Sequence, residues 1–473
     1  MTVRSSVGLA ASVVLLVVGC SAEGATGPRS DRDSGPVGGT DGGGPIPGFD
    51  AGPPPPRTDS GPPRPGDRDA DGLPDADEEM RGTDPDNDDT DGDGIGDGVE
   101  VLAGTDPLDA SSTIPPTDFY VVLPYEDPPQ MRELDFTARL GRGDVFFLVD
   151  TTGSMGIAIN NVRSSLSGTI VPAVRDAIAD VVMGVGDYRD FPVDPYGSPG
   201  DWAYQTRQTM TADVAAVQTA LNGLSAGGGA DGPESGTEGL YRSASGGSCP
   251  AGGFGEACFR AMSHPIIVVV TDNEMHNGPG GRNAYGAGVT ARTWAEMTAA
   301  LIAQEVKIVG ANVGTSFFGM SFPGVARPDL EALATATDSR KVDGSLTVYE
   351  APGGEVSTAV VDGIIDLVGN TRQDVTRETR DDPSDTVDAR MFIKAVRPVR
   401  ATRATTFDDT TFYGVAGGTT ITFEVTFEND FLPEQTYVQI FQAYIDVLDV
   451  ASSTVVDTRN VYIVVPAIGG GLI

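Results

Sequence analysis

The chain has 473 residues, enough for two or three domains, and an apolar fraction of 39% that allows real cores in part of it. Its formal net charge of -37, from 31 basic and 68 acidic residues, argues against a nucleic-acid partner, because a phosphate backbone is held by clustered Lys and Arg. Cations fit better, and 17 of the acidic residues lie between Asp67 and Asp109. In chain order, residues 1–20 read first as an export signal: Arg4, an apolar run from Val7 to Val18, then Gly19-Cys20. That run is too short to span a bilayer.

Val17-Val18-Gly19-Cys20 resembles the bacterial lipobox. The resemblance implies lipidation of Cys20 and, with Ser21 rather than Asp next, sorting to the outer membrane of the cell envelope. The membrane would then be touched through the lipid anchor only. An ordinary cleaved signal with an incidental Cys is the alternative. Residues 21–66 follow, 23 of 46 being Gly or Pro; such a segment cannot bury a core and reads as a disordered linker.

Residues 67–112 carry an internal repeat with a period of 22 residues: Asp67-Arg68-Asp69-Ala70-Asp71-Gly72 recurs as Asp89-Thr90-Asp91-Gly92-Asp93-Gly94. Acids occupy positions 1, 3, 5, 9 and 12 of both units, as Asp67, Asp69, Asp71, Asp75 and Glu78, then Asp89, Asp91, Asp93, Asp97 and Glu100. This spacing wraps carboxylates around one Ca²⁺ per loop, with Gly72 and Gly94 at the sharp turn. Flanking Pro and Gly leave no room for long paired helices. The segment resembles bacterial thrombospondin type 3 repeats, which implies a short calcium-ordered rod.

Past residue 113 the composition becomes globular. Phe119 to Leu123 and Leu134 to Phe136, within 113–142, are strand-like. Over 143–371, strand candidates at Val145 to Val149, Val181 to Val185, Ile266 to Thr271 and Val306 to Asn312 alternate with helical stripes. The stripes are Ile159, Val162, Leu166 and Ile170; Val214, Val217, Leu221 and Leu224; Trp294, Met297 and Leu301; and Val356, Val360, Ile364 and Leu367. Alternation of this kind predicts a doubly wound, Rossmann-like α/β domain. Residues 372–473 change to period-two strands such as Ile421, Phe423, Val425 and Phe427, predicting an Ig-like β-sandwich. One sandwich built from both flanks, with the α/β domain inserted, is a possible arrangement. Cys249 and Cys258 form an even pair in a Gly-rich loop, and in an oxidising compartment a disulfide is expected, two free thiols being the alternative.

Asp150-Thr151-Thr152-Gly153-Ser154 stands where the first strand meets the first helix, the edge at which such folds collect ligands. Alternating residues turn one carboxylate and two hydroxyls to one side. Here the chain resembles the von Willebrand factor A (vWA) family, whose metal-ion-dependent adhesion site reads D-x-S/T-x-S. The resemblance implies Mg²⁺ (or Mn²⁺) on Asp150, Thr152 and Ser154, with Asp272 binding directly or through water. Asp231-Gly232-Pro233-Glu234 is similar to the D-x-P-E loop of integrin β subunits; that implies Glu234 at the same metal and Asp231 at a possible adjacent metal. Gly156 to Asn160 offers no acid for the regulatory site of integrin β subunits. Helix capping is the bland alternative for Asp150 to Ser154.

Adhesion to a protein or matrix ligand that presents an acidic residue is the function the resemblance implies. A structural envelope or assembly protein with a non-adhesive vWA domain is the alternative. No enzyme is expected: the two histidines, His264 and His276, read as a loop and a rim residue, with Glu274 also on the rim, and no nucleophile motif accompanies them.

Overall fold

The computed structural model describes residues 66–468, apart from 250–251, 318–319 and 385–386. The export signal, Cys20 and the linker up to residue 65 lie outside the described residues. Among those described, no helix is long and apolar enough to cross a membrane.

The repeat units each end in a short helix, α1 (Asp75–Arg81) and α2 (Asp97–Ala103). Both stop at a left-handed glycine, Gly82 and Gly104, whose N–H returns to the Glu78 and Glu100 carbonyls. Seven-residue helices do not persist alone. They are held by packing: Val99 and Ile114 share a small core with Tyr462 and Val464, and the Val438 N–H donates to the Ala70 carbonyl at 2.9 Å.

Next come β1 (Phe119–Val122) and β2 (Gln130–Thr137), then the α/β domain. It runs β3 (Leu140–Asp150), α3 (Gly156–Ser165), α4 (Val171–Ala177), β4 (Ile178–Tyr188), β5 (Gln205–Thr211), α5 (Val214–Asn222), α6 (Gly236–Ala244), β6 (His264–Thr271) and α7 (Trp294–Ala303). It closes with β7 (Lys307–Val313), β8 (Thr315–Phe317), β9 (Met320–Phe322), α8 (Arg327–Ala336), β10 (Val348–Ala351) and α9 (Val356–Val368). The sheet order is β10-β7-β6-β3-β4-β5, parallel except for the β4–β5 pair. Along β3, Val145, Phe147 and Val149 enter a core with α3, α4, α5 and α9, whereas Phe146 and Leu148 enter a second core with α6, α7 and α8. Burial on both faces is the reason the strand is an unbroken apolar run. Five residues of π-helix (166–170) join α3 to α4, so the expected stripe stays buried through Leu166 and Ile170.

Two sheets follow, built from β11 (Arg372–Asp381), β12 (Ile393–Ala401), β13 (Thr406–Phe407), β14 (Thr411–Ala416), β15 (Thr420–Phe427), β16 (Gln439–Asp449) and β17 (Val455–Val465). Their orders are β1-β17-β16-β11-β14-β13 and β12-β15-β2. They close on one aromatic-rich core containing Phe119, Phe136, Phe412, Phe423, Phe427 and Phe441. β1 pairs in parallel with β17, and β2 pairs antiparallel with β15. The chain therefore leaves the sandwich after β2 and re-enters it at β11. At this junction Gly141 N–H donates to Gln373 Oε1 at 2.8 Å and Arg139 Nη2 to the Val456 carbonyl at 2.6 Å.

Candidate functional site

The parallel strands β3, β6 and β7 end at one edge of the sheet, and the chain expected to bind metal lies along it. Asp150, the last residue of β3, is fully buried. Its Oδ1 accepts the Thr152 N–H at 2.9 Å and the Thr152 hydroxyl at 2.6 Å; its Oδ2 accepts the Thr271 hydroxyl at 2.8 Å. Ser154 is exposed in a 3₁₀ turn, and its hydroxyl favours the charged form of the Asp272 carboxylate. The bond from the Thr152 N–H is one a capping Asp makes, and the Thr152 and Thr271 hydroxyls on the same carboxylate go beyond capping.

The middle loop reaches the same edge because Glu234 joins the segment after β6: its N–H donates to the Glu274 carbonyl at 2.9 Å, and its carbonyl accepts the His276 N–H at 2.8 Å. Glu234 is 4% exposed. A Cβ on Gly229, whose φ is +70°, would meet Glu234 Oε1 at 2.9 Å and Thr152 Cγ2 at 3.2 Å, so both side chains border one small space. Its neighbour Gly228 must also be glycine, since a Cβ there would lie 1.8 Å from Asp201 Oδ1.

Charge is poorly balanced at this edge. Burial, then the Asp272 carboxylate, pushes Asp150 up to about 7. Burial, then Asp150, Asp190, Asp231 and Asp272, pushes Glu234 up to about 11, and burial also raises Asp272. Glu234 Oε2 and Asp272 Oδ1 are buried without a hydrogen bond. Buried carboxylates with stranded lone pairs suit a cation. The three acids are adjacent but do not close into one tight set. Among the described residues, the His or acidic groups whose ligand atoms all lie within 4.8 Å of one another are Asp67, Asp69 and Asp71; Asp89, Asp91 and Asp93; and Asp190, Asp231 and His276.

In the repeats, Asp67 Oδ1, Asp69 Oδ2, both Glu78 oxygens, Asp91 Oδ2, Asp93 Oδ2 and Glu100 Oε2 are buried without hydrogen bonds. Burial raises Asp71 to about 8 and Glu78 and Glu100 to about 7. Asp75 and Asp97 depart from the expectation that they are ligands. The Asp75 oxygens take the Arg68 N–H at 2.9 Å and its Nε at 3.0 Å, and the Asp97 oxygens take the Thr90 N–H at 2.9 Å and its hydroxyl at 2.6 Å. Position 9 thus closes the loop by tying it back to position 2.

Two histidine expectations are corrected. His276 is not on a rim: it is 3% exposed, walled in by Tyr285 and Tyr196. His264 is not in a loop but opens β6. Cys249 and Cys258 are disulfide-bonded. The sequence reading missed Asp190 and Asp187, both buried. Asp187 supports the site from below, accepting Thr151 Oγ1 at 3.0 Å, Trp202 Nε1 at 3.1 Å and the Arg207 guanidinium at 2.5 and 2.9 Å. The available signal was acid at the end of a strand, but β4 extends to Tyr188 rather than stopping near Val185.

Residues 89–110 match the bacterial TSP3 repeat family. No curated protein of similar sequence was found. A von Willebrand factor type A protein from Catenulispora acidiphila has 12% identity and a TM-score of 0.33, over 74% of this chain and 72% of that one. The pilus adhesin SpaC from Lactobacillus rhamnosus GG, in its open conformation, has 12% identity and a TM-score of 0.32. That match covers 72% of this chain, which spans 46% of the adhesin. Proximal thread matrix protein 1 from the mussel byssus has 12% identity and a TM-score of 0.29, over 50% of this chain and 48% of that one.

Proposed function

We propose that this chain is a metal-dependent adhesion or protein-binding lipoprotein of the bacterial cell envelope, anchored to the outer membrane through Cys20. In this reading Asp150, Thr152, Ser154, Glu234 and Asp272 hold Mg²⁺ (or Mn²⁺). Asp67, Asp69, Asp71 and Glu78, with Asp89, Asp91, Asp93 and Glu100, hold Ca²⁺. The supporting observation is the pair of buried, unpartnered carboxylate oxygens on Glu234 and Asp272 beside a fixed Asp150. The bound ion would supply Lewis acidity toward a carboxylate on a protein or matrix partner. The chain's own residues do the positioning. Thr271 fixes one Asp150 oxygen and Thr152 the other, while Thr152 and Ser154 keep neutral oxygens at the edge. The Cys249–Cys258 disulfide supports an oxidising compartment.

Calorimetric titration of the full chain with Mg²⁺ and Mn²⁺, in saturating Ca²⁺, tests the reading. Binding by the parent that is lost in Asp150→Ala and Asp272→Ala is expected. Binding that survives both changes sinks the site, and no binding by the parent moves the structural envelope or assembly reading ahead.

A further inference from the structure

Ile440, near the start of β16, lies between the two repeat units. A Cβ on Gly72 of the first loop, whose φ is +94°, would lie 3.0 Å from Ile440 Cδ1, and one on Gly98 of α2 would lie 3.2 Å from the same methyl. Glycine at both positions leaves a socket that the Ile440 side chain fills. Asp71 ties its walls together: Oδ1 accepts the Leu73 N–H at 2.7 Å, and Oδ2 accepts the Gly98 N–H at 2.8 Å. Beside the socket the Val438 N–H donates to the Ala70 carbonyl at 2.9 Å, and Val99 is buried in one cluster with Tyr462 and Val464.

Ala70 to Gly72 are also part of the first acidic loop, so Asp71 has two tasks. It is one of three converging carboxylates, with Asp67 and Asp69, and it is the bridge to α2. Around it Asp67 Oδ1, Asp69 Oδ2 and both Glu78 oxygens are buried without a hydrogen bond. Like charges held this close repel unless a cation lies among them. Among the described residues, the small core around Val99 includes none from the first unit. Little therefore keeps an ion-free loop closed, and opening it moves Ala70, Asp71 and Gly72 together, which removes one wall of the socket and its tie to the other.

We propose that Ca²⁺ in the first loop latches the repeats onto the sandwich: with the ion, Ile440 is seated and the repeats cover Val438, Tyr462 and Val464; without it, residues 67–112 leave that face as free chain. The latch rests on the reading that Asp67, Asp69, Asp71 and Glu78 hold Ca²⁺. Linkage makes it reciprocal, so whatever calcium contributes to docking, docking contributes to calcium affinity. Freed, the 46 residues from 67 to 112 would add roughly 35–40 Å of root-mean-square reach. Calcium would thereby set how far the sandwich and the α/β domain stand from the anchor proposed at Cys20.

On the full chain, hydrogen exchange of the Val438 amide reads docking, because its acceptor lies in the repeats, and calorimetry with Ca²⁺ reads binding. Chelator should speed Val438 exchange at least about fivefold, the lower end of ordinary coupling between sites, while the amides of β6 keep their protection. Ile440→Ser and Gly98→Ala alter no acidic side chain, yet each should release Val438 in saturating Ca²⁺ and weaken calcium binding by at least about fivefold. Gly98→Ala separates the latch from helix stability, since Ala is the better helix former: unchanged or tighter calcium binding with Val438 still protected overturns the proposal. Asp69→Asn should release Val438 in saturating Ca²⁺, and retained protection there also overturns it. Calcium binding with Val438 exchange indifferent to the ion removes the latch and leaves the calcium loops standing; no calcium binding by the parent removes both.

Discussion

The acidic loops at 67–78 and 89–100 and the sheet edge at Asp150 both gather carboxylates, yet the backbone beneath them differs. Each loop draws its acids from twelve consecutive residues that end in a seven-residue helix, with a minor core shared with the sandwich. The sheet edge draws its groups from strand ends and loops about 120 residues apart, on two large apolar cores. In the loops seven carboxylate oxygens are buried without a hydrogen bond on a short segment with little core of its own. At the edge the scaffold tolerates the repulsion. Where the fold comes from the ion, removing it costs structure; where the ion is a guest, removing it costs binding.

The largest effect should come from the scaffold itself. Phe147→Ala, between β3 and its helices, should lower stability by about 3–5 kcal/mol with metal present or absent, read by denaturant titration. An effect that depends on Mg²⁺ would break the contrast. Second, calcium removal should expose 67–110 to protease while the α/β and sandwich cores stay resistant. At a hundredfold excess over Kd, each filled loop contributes about 2.7 kcal/mol. Equal loss of protection across the chain would show that the repeats are not a separate calcium-ordered segment.

Third, pH acts in the same direction at both ends of the comparison, since Asp71, Glu78 and Glu100 are raised as Asp150 is, and Mg²⁺ added in saturating Ca²⁺ separates them. Asp150 holds its proton more tightly folded, at about 7, than at its ordinary 3.8. Its contribution in metal-free protein is therefore full below about 4 and is lost as pH rises through 7, with Glu234 acting in the same direction. Thermal melts of chelated protein should fall over that window, and Mg²⁺ should reverse the fall because binding displaces the proton. Smallest is Asp75→Asn. It breaks the half-exposed Arg68 pair and should cost under about 1 kcal/mol, with calcium affinity changed far less than by Asp71→Asn.

Much of the α/β domain was legible because buried parallel strands leave apolar runs and amphipathic helices leave stripes. β5 was not, since Gln205–Thr211 is a half-exposed edge strand of mostly polar residues. Nor was α6, which begins at Gly236 and spans nine residues. β11 is rich in charge, Arg372 to Asp381, yet lies between β14 and β16; its arginines are placed by the Val396 carbonyl and Asp446. At the site, Asp150 was singled out by its place at a strand end, and Glu234 and Asp272 by the resemblance to vWA and integrin β loops. Asp190 and His276 could not, because Asp231, 41 and 45 residues from them, meets them only through loop packing. Position 9 of the repeats showed acidity but not direction, and direction decides between ligand and loop closure.

The domain that carries Asp150 is mounted on the sandwich at two points, after β2 and before β11, with Gln373 and Arg139 bridging the junction. A domain hung from one linker swivels about it; one held by two chain crossings resists torque. A pull on the α/β domain would be divided between both crossings and pass into the β2–β15 and β11–β16 pairs, as a load across several hydrogen bonds together. The α/β domain would keep its orientation to the sandwich under tension.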